Sequence, residues 1–215
     1  MRVIFWAELI GTAFLVMVVL GSGAMAQNLF PGQPGAALLA NSLATGAGLF
    51  VLIQTLGTIS GAHLNPVVSL VELLWKRINQ REFLFYVSAQ MIGAYLGILS
   101  THLMFNLPLF VTSSVERVGP HLIYSEVVAT FGLIMVIALS GKKHVEFAPM
   151  SVAAYIAAGY WFTSSTAFTN PAVTFARMFT NSFGGMAPVH FLPFVAAQII
   201  GTLIAWYLLK KISKV

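Results

Sequence analysis

The chain has 215 residues, 58% of them hydrophobic and 8% charged, with a mean hydropathy of +0.87; this is not the usage of a soluble globular domain and reads as an integral membrane protein. The formal net charge of +5 would suggest a nucleic-acid partner in a soluble chain, but here the basic residues form short clusters between apolar runs, so no nucleic acid is expected. The absence of cysteine excludes a disulfide framework and a thiolate metal site, and at about 20 apolar residues per crossing the length allows about six spans and no sizeable soluble domain.

The first apolar run follows Arg2 and extends from Val3 to Met25. It contains Glu8 and lacks a small-residue cleavage site, so it is read as a span and not as a cleaved leader. Further spans are expected at Ala36 to Leu56, Phe83 to Phe105, Leu122 to Leu139, Ala148 to Ser164 and Val189 to Leu209. Two shorter stretches, Asn65 to Trp75 and Asn170 to Thr180, cannot cross a bilayer but suffice for three helical turns. Each is read as a half-helix entering from one side. The fold class is therefore an all-α membrane protein, six transmembrane helices plus two re-entrant half-helices, forming one domain over residues 1–215.

With six spans, Arg2, Lys76, Arg77, Arg81, Lys142, Lys143, Lys210, Lys211 and Lys214 fall on one side, nine of the eleven basic residues. Arg117 lies in the loop after the third span and Arg177 at the second half-helix. The positive-inside rule then places both termini in the cytoplasm of a multi-pass cell-membrane protein. The halves, about 1–110 and 118–215, also repeat. "ELIGTAFLVMVVL" from Glu8 answers "EVVATFGLIMVIAL" from Glu126, "HLNPVVSL" from His63 answers "FTNPAVTF" from Phe168, and "AQMIGAYLG" from Ala89 answers "AQIIGTLIA" from Ala197. An odd number of spans separates the copies, so the second enters the membrane upside down.

Asn65-Pro66-Val67 and Asn170-Pro171-Ala172 stand where each half-helix begins. Asn is a good helix cap, and Pro suits a first helical position. Taken singly, each is an ordinary helix start. Paired in an inverted repeat, they would aim two positive helix ends and two Asn amides at one point of a pore, binding water and repelling cations and protons. The pattern implies a pore for neutral molecules.

With these motifs, the flanking "SGAHLNP" and the repeated Glu and Gln segments, the chain resembles the aquaporin (major intrinsic protein) family over nearly its whole length. The resemblance implies a bundle of six helices and two half-helices, one pore per subunit and a homotetramer. Val67 replaces the usual Ala of the first motif. The selectivity constriction departs further, because Val173 stands where the family usually places an arginine. Thr45 takes the place often held by a bulky aromatic, Ala167 is the loop position, and the fifth-span position is Gly159 or Tyr160. Arg177 follows one turn after Val173 and either reaches back to the pore or binds headgroups or loops. The pattern is similar to metalloid- and arsenical-permeable bacterial members, which implies a wide filter admitting glycerol-like polyols or arsenous acid. A strict water channel with an unusual filter is the alternative.

Glu8 and Glu126, ionisable groups inside spans, read as acceptors for backbone N–H groups of the loops before the half-helices, in preference to proton coupling. His63 supports its loop and lines the cytoplasmic half of the pore; no other ligand keeps metal spacing with it, so no metal and no cofactor is expected. Glu72 is expected to pair with Lys76 at i,i+4. Gly93, Gly97 and Gly201, with Gln90 and Gln198, read as close-packing sites with amide crosslinks. No nucleophile, metal or phosphate motif suggests an enzyme. A secondary active transporter shares inverted repeats and broken helices, but it would need an ionisable group at the midplane, where this sequence places neutral Asn and Pro.

Overall fold

The computed structural model describes residues 1–140 and 145–212. Lys142, Lys143 and Lys214, part of the basic cluster on the side of the termini, lie outside the described residues. The described chain is helical throughout its regular structure. Its first span is Arg2–Leu29, followed by Pro34–Ser60, Gln80–Met104, Pro120–Ser140, Ala148–Phe162 and Phe191–Ile212. Among the described residues five helices are long and apolar enough to cross a membrane; the fifth in chain order, Ala148–Phe162, has 15 residues and is led in by a 3₁₀ turn at Val145–Phe147. It stops short because Thr163 is already extended, at φ −119° and ψ 141°, where the chain turns toward the second half-helix.

The half-helices are Pro66–Leu74 and Pro171–Ala176, the latter tightening into a 3₁₀ turn at Arg177–Phe179. Proline opens both, as it opens the second and fourth spans, where its missing N–H would have had no intrahelical partner. Asn79 and Glu82 form a reciprocal capping box that starts the third span. Gly61, at φ +82°, closes the second span in the left-handed conformation that glycine reaches without strain.

The two halves are built alike. The first span packs on the third and the fourth on the sixth, and both contacts are backbone-close. A Cβ at Gly93 would collide with the carbonyl of Leu9, and one at Gly201 with that of Val127. In hydrocarbon, where burying apolar surface gives helices no drive to associate, such close approach is a main source of cohesion. The first span carries one irregularity, a π turn at Met17–Gly21.

The expected Glu72–Lys76 pair does not form. The half-helix ends at Trp75, and Lys76 turns to φ +60°, which takes its side chain off the helix face. Glu72 pairs with Arg77 at 3.0 Å, and that guanidinium stacks 4.6 Å from the Trp75 ring.

Candidate functional site

The half-helices meet end to end. The Oδ1 of Asn65 accepts from Val67 N at 3.0 Å, and that of Asn170 from Ala172 N at 2.9 Å and Val173 N at 3.3 Å, so each amide caps its own helix. Each Nδ2 crosses to the other half: Asn65 donates to the Thr169 carbonyl and Asn170 to the Leu64 carbonyl, both at 2.8 Å. An amide nitrogen carries two protons. One remains on each Asn for a molecule in the cavity that both residues border. Two helix N-termini, each equivalent to about half a positive charge, converge on the same place. Pro66, Val67, Pro171 and Ala172 are buried in the first turns and do not border the cavity.

The loops before the half-helices hold a costly conformation. Ala62 and Leu64 have φ of 47° and 49°, and Ala167 and Thr169 have φ of 47° and 48°. For non-glycine residues this region is unfavourable and persists only when the surroundings impose it. Here the carboxylates impose it. Glu8 accepts from His63 N at 2.9 Å, Leu64 N at 2.7 Å, Ser60 Oγ at 2.6 Å and Gln90 Nε2 at 2.8 Å. Glu126 accepts from Phe168 N and Thr169 N, both at 2.9 Å, and from Gln198 Nε2 at 2.7 Å. Gln90 and Gln198 donate onward to Ser69 and Thr174 in the half-helices. Glu8 and Glu126 thus stand behind the loops, away from the cavity. His63 borders the cavity, its Nδ1 3.0 Å from Ser69 Oγ and its ring stacked 4.2 Å from Tyr86.

The cavity has a volume of about 200 Å³. One wall comes from the loops and the two Asn residues. The other is a set of stripes stepping by four: Thr45, Leu49 and Ile53 on the second span, and Ala148, Val152, Ile156 and Tyr160 on the fifth. Leu15 with Val19 and Leu133 with Ile137 complete it from the first and fourth. Four-residue steps keep to one helix face, so an apolar wall of this kind is visible in the sequence once one member, such as Thr45, is fixed.

Thr45, Ala167, Val173 and Tyr160 all border the cavity, and the Thr45 and Tyr160 hydroxyls lie 3.1 Å apart in hydrogen-bonding contact. Of the two fifth-span candidates, Gly159 is displaced from this role. It faces the loop, where an added Cβ would come within 2.7 Å of the Ala167 Cβ. Tyr160, one residue on and about 100° around the helix, takes the lining position. Arg177 is buried, 4% exposed, and borders the cavity while bonding the loop carbonyl of Gly184 at 2.6 Å. Phe168 and Val68, not distinguishable by sequence motif, also line it.

Outside the spans, Arg117 ties the loop between the third and fourth spans to the loop after the second half-helix. It donates to Gly185 O at 2.9 Å and Phe183 O at 3.0 Å, and its guanidinium stands 4.8 Å from the Phe168 ring. Burial, together with repulsion from Arg177, pushes its pKa down to about 10, so it remains a cation at neutral pH.

Comparison with known proteins agrees with this architecture. The chain matches the family model of the major intrinsic proteins over residues 2–165. It is 47% identical over 204 residues to the aquaglyceroporin AqpS of Rhizobium meliloti, covering 95% of this chain and 87% of that protein. Human aquaporin-2 is 36% identical over 101 residues, 47% of this chain and 35% of that protein. The X-ray structure of the aquaglyceroporin from Plasmodium falciparum superposes with a TM-score of 0.69 at 21% identity, covering 97% of this chain and 95% of that one, a likeness of fold. A polytopic helical chain with two Asn-capped half-helices meeting at a buried cavity, matched by that family model over most of its length, is a member of the major intrinsic protein family.

Proposed function

We propose that this membrane channel, which passes water and small neutral solutes passively, has a filter wide enough for solutes larger than water. These are glycerol-like polyols and uncharged hydroxo acids of metalloids, arsenous acid among them. The observation that carries the reading is Val173: at the cavity wall directly after the second Asn-Pro-Ala stands a short apolar side chain, where an arginine would add five donors and a long stem. Ala167 and Thr45, also small, border the same place. That AqpS, 47% identical, is described as an aquaglyceroporin supports the same range.

The Thr45–Tyr160 contact at 3.1 Å favours the alternative, a water channel whose tyrosine closes the gap left by the arginine. Stopped-flow light scattering on the purified protein in liposomes separates the two, with water compared with glycerol and arsenous acid uptake followed independently, for wild type and Val173→Arg. Passage of the larger solutes by wild type and their selective loss in the variant is the expected result. Water flux alone in the wild type would mean that Tyr160 or another residue closes the gap and that this is a water channel with an unusual filter.

A further inference from the structure

Arg177 stands four residues beyond Val173. Residues so spaced share a helix face, and helical side chains lean back toward the helix N-terminus. For this half-helix that end is Asn170, at the centre of the pore. Arg177 retains helical angles, φ −64° and ψ −18°, so its side chain returns along the face that carries Val173. There it is buried yet borders the cavity.

Its surroundings hold the guanidinium without neutralising it. Nη1 donates to the Gly184 carbonyl at 2.6 Å, the Phe168 ring lies 3.8 Å from Cζ, and the Tyr160 hydroxyl adjoins it. Among the described residues no carboxylate forms an ion pair with it, and its Nε–H, itself sealed from the cavity, has no acceptor. Glu126, whose charge reaches it, is committed to two loop N–H groups and Gln198. A buried cation that borders a cavity without a carboxylate partner is costly unless something polar completes it.

We infer that Arg177 is a specificity-determining residue of this channel, supplying from one turn beyond Val173 the positive charge that Val173 cannot. Width and charge, which one arginine side chain would combine, are divided between two positions. Val173 leaves the passage open. Arg177, with the Tyr160 hydroxyl beside it and Thr45 bonded to Tyr160, offers N–H and O–H groups to the oxygen atoms of neutral solutes and opposes cations. Arg117 adds a second positive charge farther out, on the other contact of Phe168. The inference rests on the cavity being the conduction path proposed above.

The test uses full-length protein in liposomes under a K⁺ gradient. K⁺ permeability is normalised to the amount of channel incorporated, measured by quantitative immunoblot of the proteoliposomes, and osmotic water flux is followed alongside to show that the inserted channel conducts. Wild type and Arg177→Lys should exclude K⁺. Arg177→Met, which keeps volume without charge, and Arg177→Gln, which keeps donors without charge, should raise normalised K⁺ permeability at least about tenfold. Should the Met variant fail to insert, the Gln variant answers the same question. Tyr160→Phe, which removes the neighbouring hydroxyl and no charge, should lower glycerol flux relative to water without a K⁺ leak. K⁺ exclusion preserved in both uncharged variants would overturn the inference and leave Arg177 as a tie to Gly184. So would a leak in Arg177→Lys or Tyr160→Phe equal to that in Arg177→Met, since packing and not charge would then form the barrier. Failure of the wild type to pass glycerol would refute the wide filter and leave the K⁺ comparison standing.

Discussion

Glu126 holds two backbone N–H groups that hydrocarbon could not satisfy, and two positive-φ residues beside them depend on that grip. Glu126→Ala would orphan both donors, at about 1–3 kcal/mol each. The expected outcome is a marked fall in thermal midpoint in detergent, with Glu8→Ala behaving alike because its partners are arranged alike; an unchanged midpoint would show that the loops hold themselves. This scaffold role was legible from the repeat, since two acidic residues at matching places before matching loops point to matching backbone needs. The fifth-span filter position was not legible. Gly159 and Tyr160 differ by about 100° around one helix, and the choice depends on where the span hands over to its loop, which the apolar run does not mark. Glu72 failed for a similar reason: i,i+4 pairing assumes a helix that continues, and this one ends at Trp75.

At the level of elements, the spans and half-helices were readable from apolar runs punctuated by proline and Asn, and their ends moved by only a few residues. The π turn at Met17–Gly21 was not, because nothing in its composition separates an i+5 from an i+4 bond. It is held by the neighbouring span. Asn41 Nδ2 donates to the Val19 carbonyl and to Ser22 Oγ, both at 2.8 Å. Val19 also borders the cavity, so this crosslink sets part of the pore wall from behind. Asn41→Leu should cost about 1–3 kcal/mol for the unpaired carbonyl and shift the ratio of glycerol to water flux as the first span relaxes. A variant of lower stability with an unaltered ratio would show that the turn serves packing alone.

At the scale of the molecule, the cavity is formed wholly within one chain, so assembly is not needed to complete it. The homotetramer implied by the family is a proposal here, and the mass of the protein in mild detergent checks it: four copies are expected, and a monomer would count against it. Both termini share one side if the spans number six, and the basic clusters beside them propose that side as cytoplasmic. The pore is not alike at its two mouths. Thr45, Tyr160 and Arg177 bring hydroxyl and guanidinium groups toward the end away from the termini, whereas Ile53, Ile137, Ala148 and Val152 line the other with apolar side chains. The cavity lining thus changes from polar to apolar along its length. A solute entering from the side of the termini sheds water against hydrocarbon before it reaches groups that can replace it, whereas from the opposite side hydroxyl and guanidinium groups take over its hydrogen bonds at the outset.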